Sequence, residues 1–370
     1  MEAKPWLKNL KPYPPGKTLE EIKRELKLEG PIYKLNSNEN PLGPSPKVIN
    51  ALREALHEIH LYPEASYQSL RMALAQRWNL SPEEIILGNG SNEVIEFVFK
   101  AYLNPGDEVI VSFPSFLMYE KFAEIYGVKS LRIPLDKELN HDFKTIKASI
   151  TSRTRAIFLD HPHNPTGQVH PRETWREFLD DLPKDILIVI DEAYGDFIDG
   201  EHVPRGIEFL KEGRQVLVLR TFSKAFGLAG LRLGYGLAPV EIIFEMNKVR
   251  QPFNVNLLAV KAGLAALQDK EYEEKYLELV RRGRNFLCSS LKALGFKVYP
   301  SQANFIMVDF GNECEKIYQN LFEKGIILRP LKAYGFPNTL RITIGTEEAN
   351  HALLRVLRDT MENNNEQSAN

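Results

Sequence analysis

Short, uninterrupted apolar runs alternate along the chain with stretches whose apolar positions recur every three to four residues. The runs Ile85–Leu87, Val109–Val111, Ala156–Leu159, Ile186–Ile190 and Val216–Leu219 lack polar alternation. That pattern predicts strands covered on both faces. Between them, Asn92–Tyr102 and Pro171–Leu182 have the length and period of crossover helices. The sum is an α/β fold with a mainly parallel central sheet flanked by helices. Ser45-Pro46 opens the first strong helix, with serine as N-cap and proline in the first turn. Val48, Ile49, Leu52, Ala55, Leu56 and Ile59 then fall on one face.

The texture changes towards both ends. Residues 1–45 carry seven prolines and read as an irregular arm with one short helix near Leu19–Leu28. Such an arm is ordered only by lying on the body of the protein or on a partner subunit. Residues 240–293 read as two long helices. Beyond Gly295 come strand-like Val298–Tyr299, Phe305–Val308, Ile326–Leu328 and Leu340–Ile344, with helices at Cys314–Glu323 and Glu347–Met361. This is a smaller α+β lobe. The expected division is an arm over 1–45, a large domain over 46–250, a small domain over 251–361 and a polar, disordered tail over 362–370.

Charge and composition narrow the function. Lys and Arg number 47 and Asp and Glu 49, for a net charge of −2. That balance excludes a broadly basic protein, so neither nucleic acid nor a membrane surface is an expected partner. The longest uncharged runs, such as 109–119, are half the length of a spanning helix. An acid at position two and no apolar leader segment point to a cytoplasmic protein. Cys288 and Cys314 form no CxxC motif and read as inert thiols.

In open α/β sheets ligands bind beyond the carboxyl ends of the strands. Gly88-Asn89-Gly90-Ser91-Asn92-Glu93 follows the first run and can present free N–H groups to an anion. By itself it reads as an ordinary N-capped turn, and Glu93 stands where a dinucleotide fingerprint needs glycine. Asp191 ends a run of five apolar residues, where a carboxylate is costly unless it has a cation or strong donors. Lys224 lies between a buried strand and the small apolar stretch Ala225–Leu231, an environment that lowers a lysine pKa. Asp160, His161, His163 and nearby His170 lack the spacing of a metal site, and no metal is expected. The prolines around them indicate a packed loop.

Taken together, Asn164-Pro165-Thr166-Gly167, Asp191-x-x-Tyr194 and Ser223-Lys224 with Arg232 resemble the fold-type I pyridoxal-phosphate aminotransferases. The resemblance runs from about residue 10 to 360. Within that group, Leu35-Asn36-Ser37-Asn38-Glu39-Asn40-Pro41-Leu42-Gly43-Pro44, Tyr62-Pro63, Ser301-x-Ala303-Asn304-Phe305 and Leu340–Thr346 are similar to the histidinol-phosphate aminotransferases.

The resemblance implies a large cofactor-binding domain, a small domain and an arm that packs on the small domain and a dimer partner. It implies a Schiff base between Lys224 and pyridoxal phosphate and a ping-pong course, with Lys224 moving the substrate proton. Asp191 is implied as partner of the ring nitrogen, Tyr194 and Asn164 of the ring oxygen, and Phe116 as the stacking face. Ser91, Asn92, Thr221, Ser223 and Arg232 are implied around the cofactor phosphate, with Tyr62 reaching the neighbouring subunit's phosphate in a homodimer. Tyr13, Asn36, Arg329 and Arg341 are implied in substrate binding. The implied substrates are histidinol phosphate and glutamate or 2-oxoglutarate, in histidine biosynthesis. Aromatic amino-acid transamination, decarboxylation of threonine phosphate in cobalamin synthesis, and a non-enzymatic binding role on this fold are the alternatives. The sequence departs from the commoner family pattern at His161 and His163, where asparagines are usual, and at Phe116, where tyrosine is usual.

Overall fold

The computed structural model describes residues 1–8, 10, 12, 21, 23, 24 and 30–369, with side chains to Glu362 at the C-terminal end. A short strand, β1 (Tyr33–Lys34), precedes the seven strands of the main sheet. These are β2 (Ile85–Asn89), β3 (Glu108–Phe113), β4 (Lys129–Pro134), β5 (Thr154–Asp160), β6 (Leu187–Asp191), β7 (Val216–Thr221) and β8 (Leu233–Leu237). Their order is β2-β8-β7-β6-β5-β3-β4. All pairs from β7 to β4 are parallel, and β8 alone runs antiparallel to both neighbours. Five short strands follow: β9 (Lys297–Val298), β10 (Phe305–Asp309), β11 (Ile326–Ile327), β12 (Arg329–Pro330) and β13 (Thr339–Thr343). A four-stranded sheet has the order β12-β13-β10-β9, while β11 pairs in parallel with β1.

All five strands expected from apolar runs are present, each longer by one to three residues at one or both ends except at Ile186, which lies outside β6. Their apolar side chains are buried because helices cover both faces. Ile157, Leu159, Ile188 and Ile190 join one core cluster, while Phe158, Val189, Leu217 and Leu219 join the other. Two strands carry no such run. β4 is an edge strand with exposed Lys129 and Arg132, the charged surface that keeps an edge from pairing further. β8 reads Leu-Gly-Tyr-Gly-Leu, and its glycines disguise it as loop. Gly234 is required there, since a Cβ at that position would stand 2.1 Å from the Ser91 nitrogen.

Several helices differ from expectation. Ser45 does cap the helix Pro46–Ala55, accepting from the Val48 N–H. Its apolar face is only partly covered, however: Val48 and Ala55 are buried, whereas Leu56 and Ile59 are exposed. The stretch 240–293 forms three helices, Val240–Val249, Leu257–Leu267 and Lys270–Ala293, because Pro252 and the following loop break the first from the second. Helix Leu257–Leu267 packs against helices Pro46–Ala55 and Gln68–Trp78. The tail expected to be disordered from 362 instead continues the last helix, Glu347–Ala369. Nothing in Glu-Asn-Asn-Asn-Glu-Gln-Ser-Ala breaks a helix as Gly or Pro would. The short helix expected near Leu19–Leu28 lies largely outside the described residues. Among the described residues no helix is long and apolar enough to cross a membrane. Both cysteines are free.

Candidate active site

The carboxyl ends of β5, β6 and β7 and the turn after β2 open onto one cavity of about 500 Å³. Lining it are Ser91, Asn92, Phe116, Asn164, Asp191, Tyr194, Thr221, Ser223, Lys224 and Arg232, all named from sequence. Ser37, Glu39, Met118, Tyr119 and Asp160 line it as well. The order of the parallel strands brings these residues together from across the chain. A buried ion pair between Glu192 and Arg220, at 2.8 Å, locks the ends of β6 and β7 to each other.

Lys224 follows β7 and is partly buried. Its Nζ donates to the Ser37 carbonyl at 3.1 Å and lies 5.7 Å from the centre of the Tyr194 ring. Burial, then the positive charge of Arg341, lowers its pKa to about 8, with Glu39 acting the other way. Near neutrality part of the population is therefore a free amine, fit to attack a carbonyl or take a proton.

Asp191 ends β6 and is buried. Burial pushes its carboxyl up to about 7, against the hydrogen bond from Tyr119 and helped by the negative charges of Asp160 and Glu192. Tyr119 Oη donates to Asp191 Oδ2 at 2.8 Å and the Ala193 N–H donates to Oδ1 at 3.0 Å. Among the described residues no cation forms a salt bridge with Asp191. The Tyr119 contact was missed in the sequence. Its only signal is that Tyr119 stands three residues after Phe116, one helical turn away.

The other end of the cavity is a cradle of donors. Helix Ser91–Tyr102 presents its N-terminus there, capped by Gly90 at φ 78°. Thr221 and Ser223 bring hydroxyls, and Arg232 brings a guanidinium 3.5 Å from Ser223 Oγ. Arg232 has φ 58°, a left-handed conformation costly for a non-glycine residue. Strain of this kind persists where the surroundings hold it and clusters at ligand sites. Among the described residues Asn92 Oδ1 is buried with no hydrogen-bond partner. This end has the chemistry of an anion site.

The remaining candidates are placed as follows. Arg341, on β13, is buried and donates to Asn164 Oδ1 at 2.5 Å and to the Asn36 carbonyl at 2.9 Å. Arg329, on β12, is its register partner and partly buried. Asn38, missed in the sequence, donates to Tyr194 Oη at 2.9 Å. Tyr62 does not line this cavity. It is 80% exposed and stacks on Phe253 with ring centres 4.6 Å apart. Tyr13 lies outside the described residues.

His161 and His163 are buried. His161 packs edge-on to Trp175, and its Nε2 lies 3.2 Å from the Pro204 carbonyl. His163, His141 and Asp160 form a cluster with ligand atoms within 4.8 Å of one another. Every ring nitrogen of His141 and His163 has a protein partner.

A fold with these features has relatives. Residues 31–357 match the model of the aminotransferase class I and II family. A histidinol-phosphate aminotransferase of Moorella thermoacetica is 43% identical over 354 residues, covering 95% of this chain and 91% of that one. That of Desulfotalea psychrophila is 45% identical over 358 residues, covering 96% and 94%. Among solved structures, histidinol-phosphate aminotransferase from Sinorhizobium meliloti in complex with pyridoxal-5'-phosphate superposes with a TM-score of 0.87 at 26% identity, covering 97% and 98%. The chain belongs to the aminotransferase class I and II family.

Proposed function

We propose that this chain is a pyridoxal-phosphate-dependent aminotransferase that exchanges an amino group between histidinol phosphate and 2-oxoglutarate. The observation that carries the reading is one cavity that joins a lysine of lowered pKa, a buried carboxylate with no cation paired to it among the described residues, and an anion cradle. The names of the relatives at 43% and 45% identity support the substrate.

The residues fit the cofactor on two counts. Asp191 is a buried acid near neutrality that calls for a cation, which a protonated ring nitrogen supplies. The donor end suits a phosphate, since the N-terminus of helix Ser91–Tyr102, the Thr221 and Ser223 hydroxyls and the Arg232 guanidinium can all donate to an anion. Ser91, Asn92, Thr221, Ser223 and Arg232 would hold the phosphate. Asp191 would hold the ring nitrogen, Asn164 and Tyr194 the ring oxygen, and Phe116 the ring face. When bound, the cofactor supplies an aldehyde that takes up amino groups and a ring that draws electrons from the adjoining carbon.

The chain's own groups do the rest. Lys224 Nζ takes the proton from the substrate Cα, which its pKa of about 8 allows near neutrality. Asp191 keeps a proton at the ring nitrogen, and Tyr119 holds the Asp191 carboxylate in place. Arg341, fixed by Asn164 and Asn36, binds the substrate carboxylate, and Arg329 joins it on a substrate phosphate. Tyr13 and Asn36 belong to the closing side of the pocket.

We also propose a homodimer. Tyr62, Leu56, Ile59 and Leu61 are exposed on one stretch of chain, an apolar surface that a second copy would cover. Exposed Tyr62 would then complete the partner's phosphate site. The division into arm, large domain (46–250) and small domain (251–361), and a cytoplasmic location, are part of the same reading. Comparison of kcat/KM for histidinol phosphate and phenylalanine tests the substrate. A preference for histidinol phosphate is expected; a preference for phenylalanine makes the chain an aromatic amino-acid aminotransferase.

A further inference from the structure

Asp160 has no role in the reading above, yet it lines the cavity and is buried. It is the register partner of Asp191 at the adjoining end of β5. Both its oxygens accept. The Asn164 N–H donates to Oδ2 at 2.7 Å, and Ser115 Oγ donates to Oδ1 at 2.9 Å. His163 Nε2 and His141 Nε2 stand 3.8 and 3.9 Å from the same Oδ1.

The partners of the two histidines assign their tautomers. His141 Nε2–H donates to the Asp160 carbonyl at 2.8 Å, and His163 Nε2–H donates to the Pro114 carbonyl at 3.0 Å. His141 Nδ1 is then an acceptor, 2.7 Å from Ser112 Oγ. His163 Nδ1 faces Thr166 Oγ1 at 2.9 Å. Burial keeps both rings neutral, with pKa values lowered to about 3. The donors to the Asp160 carboxylate itself are the Asn164 N–H and the Ser115 hydroxyl, which offset the upward push of burial on its pKa.

These bonds join two segments. Ser112, Pro114 and Ser115 lead into Phe116. His163 and the Asp160 carboxylate hold the loop that carries Asn164. Phe116 and Asn164 both face the cavity. We propose that Asp160, braced by His141 and His163, is a positioning residue that fixes the Phe116 segment against the Asn164 loop and so sets the slot between them. The inference rests on the cofactor reading, since the slot is where the ring would lie. It gives a role to His163, which the sequence left open.

The test compares wild type with Asp160→Asn and Asp160→Ala, each loaded with pyridoxal phosphate. Four quantities are measured: cofactor Kd, visible circular dichroism per bound cofactor, kcat and KM for glutamate, and Tm. A flat chromophore gains ellipticity only when it is held asymmetrically, so the visible signal reports the slot itself. Both variants are expected to bind cofactor with ellipticity at least halved, kcat lowered about 10- to 100-fold and KM changed less than about threefold. Wild-type ellipticity and kcat within about twofold in a folded variant overturn the inference, since a misplaced group costs more than that. If Asp160→Ala does not fold, the size-matched Asp160→Asn decides by the same criteria. Failure of the wild type itself to bind pyridoxal phosphate overturns the cofactor reading instead, and is separately visible.

Discussion

Tyr119 Oη donates a 2.8 Å hydrogen bond to Asp191 Oδ2, and both groups are buried. A hydroxyl that serves a carboxylate in a dry site is worth more than one in water. It orients the acid that faces the cavity and lowers the cost of keeping it charged. The Tyr119 proton is correspondingly hard to remove: burial first, then the neighbouring Asp191 charge, raises its pKa far above the ordinary phenol value. Tyr119 therefore acts as a donor at every pH at which the protein is studied.

Tyr119→Phe removes that donor and little else. Affinity for pyridoxal phosphate should fall about 10-fold, the scale of a hydrogen bond to a charged group. Titration of the apoprotein by absorbance measures it. A Kd within about twofold of wild type would mean that Asp191 needs no such support.

The pH at which Lys224 captures the cofactor follows from its pKa of about 8. The amine is the reactive form, so the rate of capture by the apoprotein should rise with pH through about 8 and level off above it. Stopped-flow absorbance across that range gives the curve. A midpoint near the ordinary lysine value would contradict the assigned environment.

Acid should destabilise the protein well before its exposed carboxylates are protonated. Burial depresses the pKa of His141, His161 and His163 to about 3 in the fold, against about 6.5 when unfolded. Below the unfolded value the unfolded chain binds more protons, so stability falls as pH falls. The contribution is complete above about 6.5 and lost progressively towards about 3, with a slope of about 1.4 kcal/mol per pH unit for each histidine. Urea midpoints at pH 7, 6 and 5 should decline, and His163→Asn should decline less steeply. A flat profile would mean that these rings are not buried neutral.

Much of this site could be read from the chain because parallel strands announce themselves. The five apolar runs lie in strands that end at Asn89, Phe113, Asp160, Asp191 and Thr221, and residues at and beyond those ends meet at one cavity. The rest was hidden for physical reasons. β8 is written with glycines because Gly234 must let the Ser91 nitrogen approach, and such a strand looks like loop. Tyr119 and Asp191 are 72 positions apart, and Asn38 and Tyr194 are 156 apart, so only the tertiary fold pairs them. Leu56 and Ile59, placed by their spacing on the apolar face of the first helix, are exposed, as an interface between copies would be in a single chain. Helix Glu347–Ala369 outran its apolar pattern because polar residues propagate a helix once packing has started it.

The most direct test of the account is chemical trapping at Lys224. Protein loaded with pyridoxal phosphate is reduced with borohydride, digested and analysed by mass spectrometry, with Lys224→Ala treated in parallel. The account predicts a phosphopyridoxyl mass on the peptide containing Lys224, none on that segment of the variant, and no turnover by the variant. An adduct confined to another lysine, or turnover retained by Lys224→Ala, would contradict it.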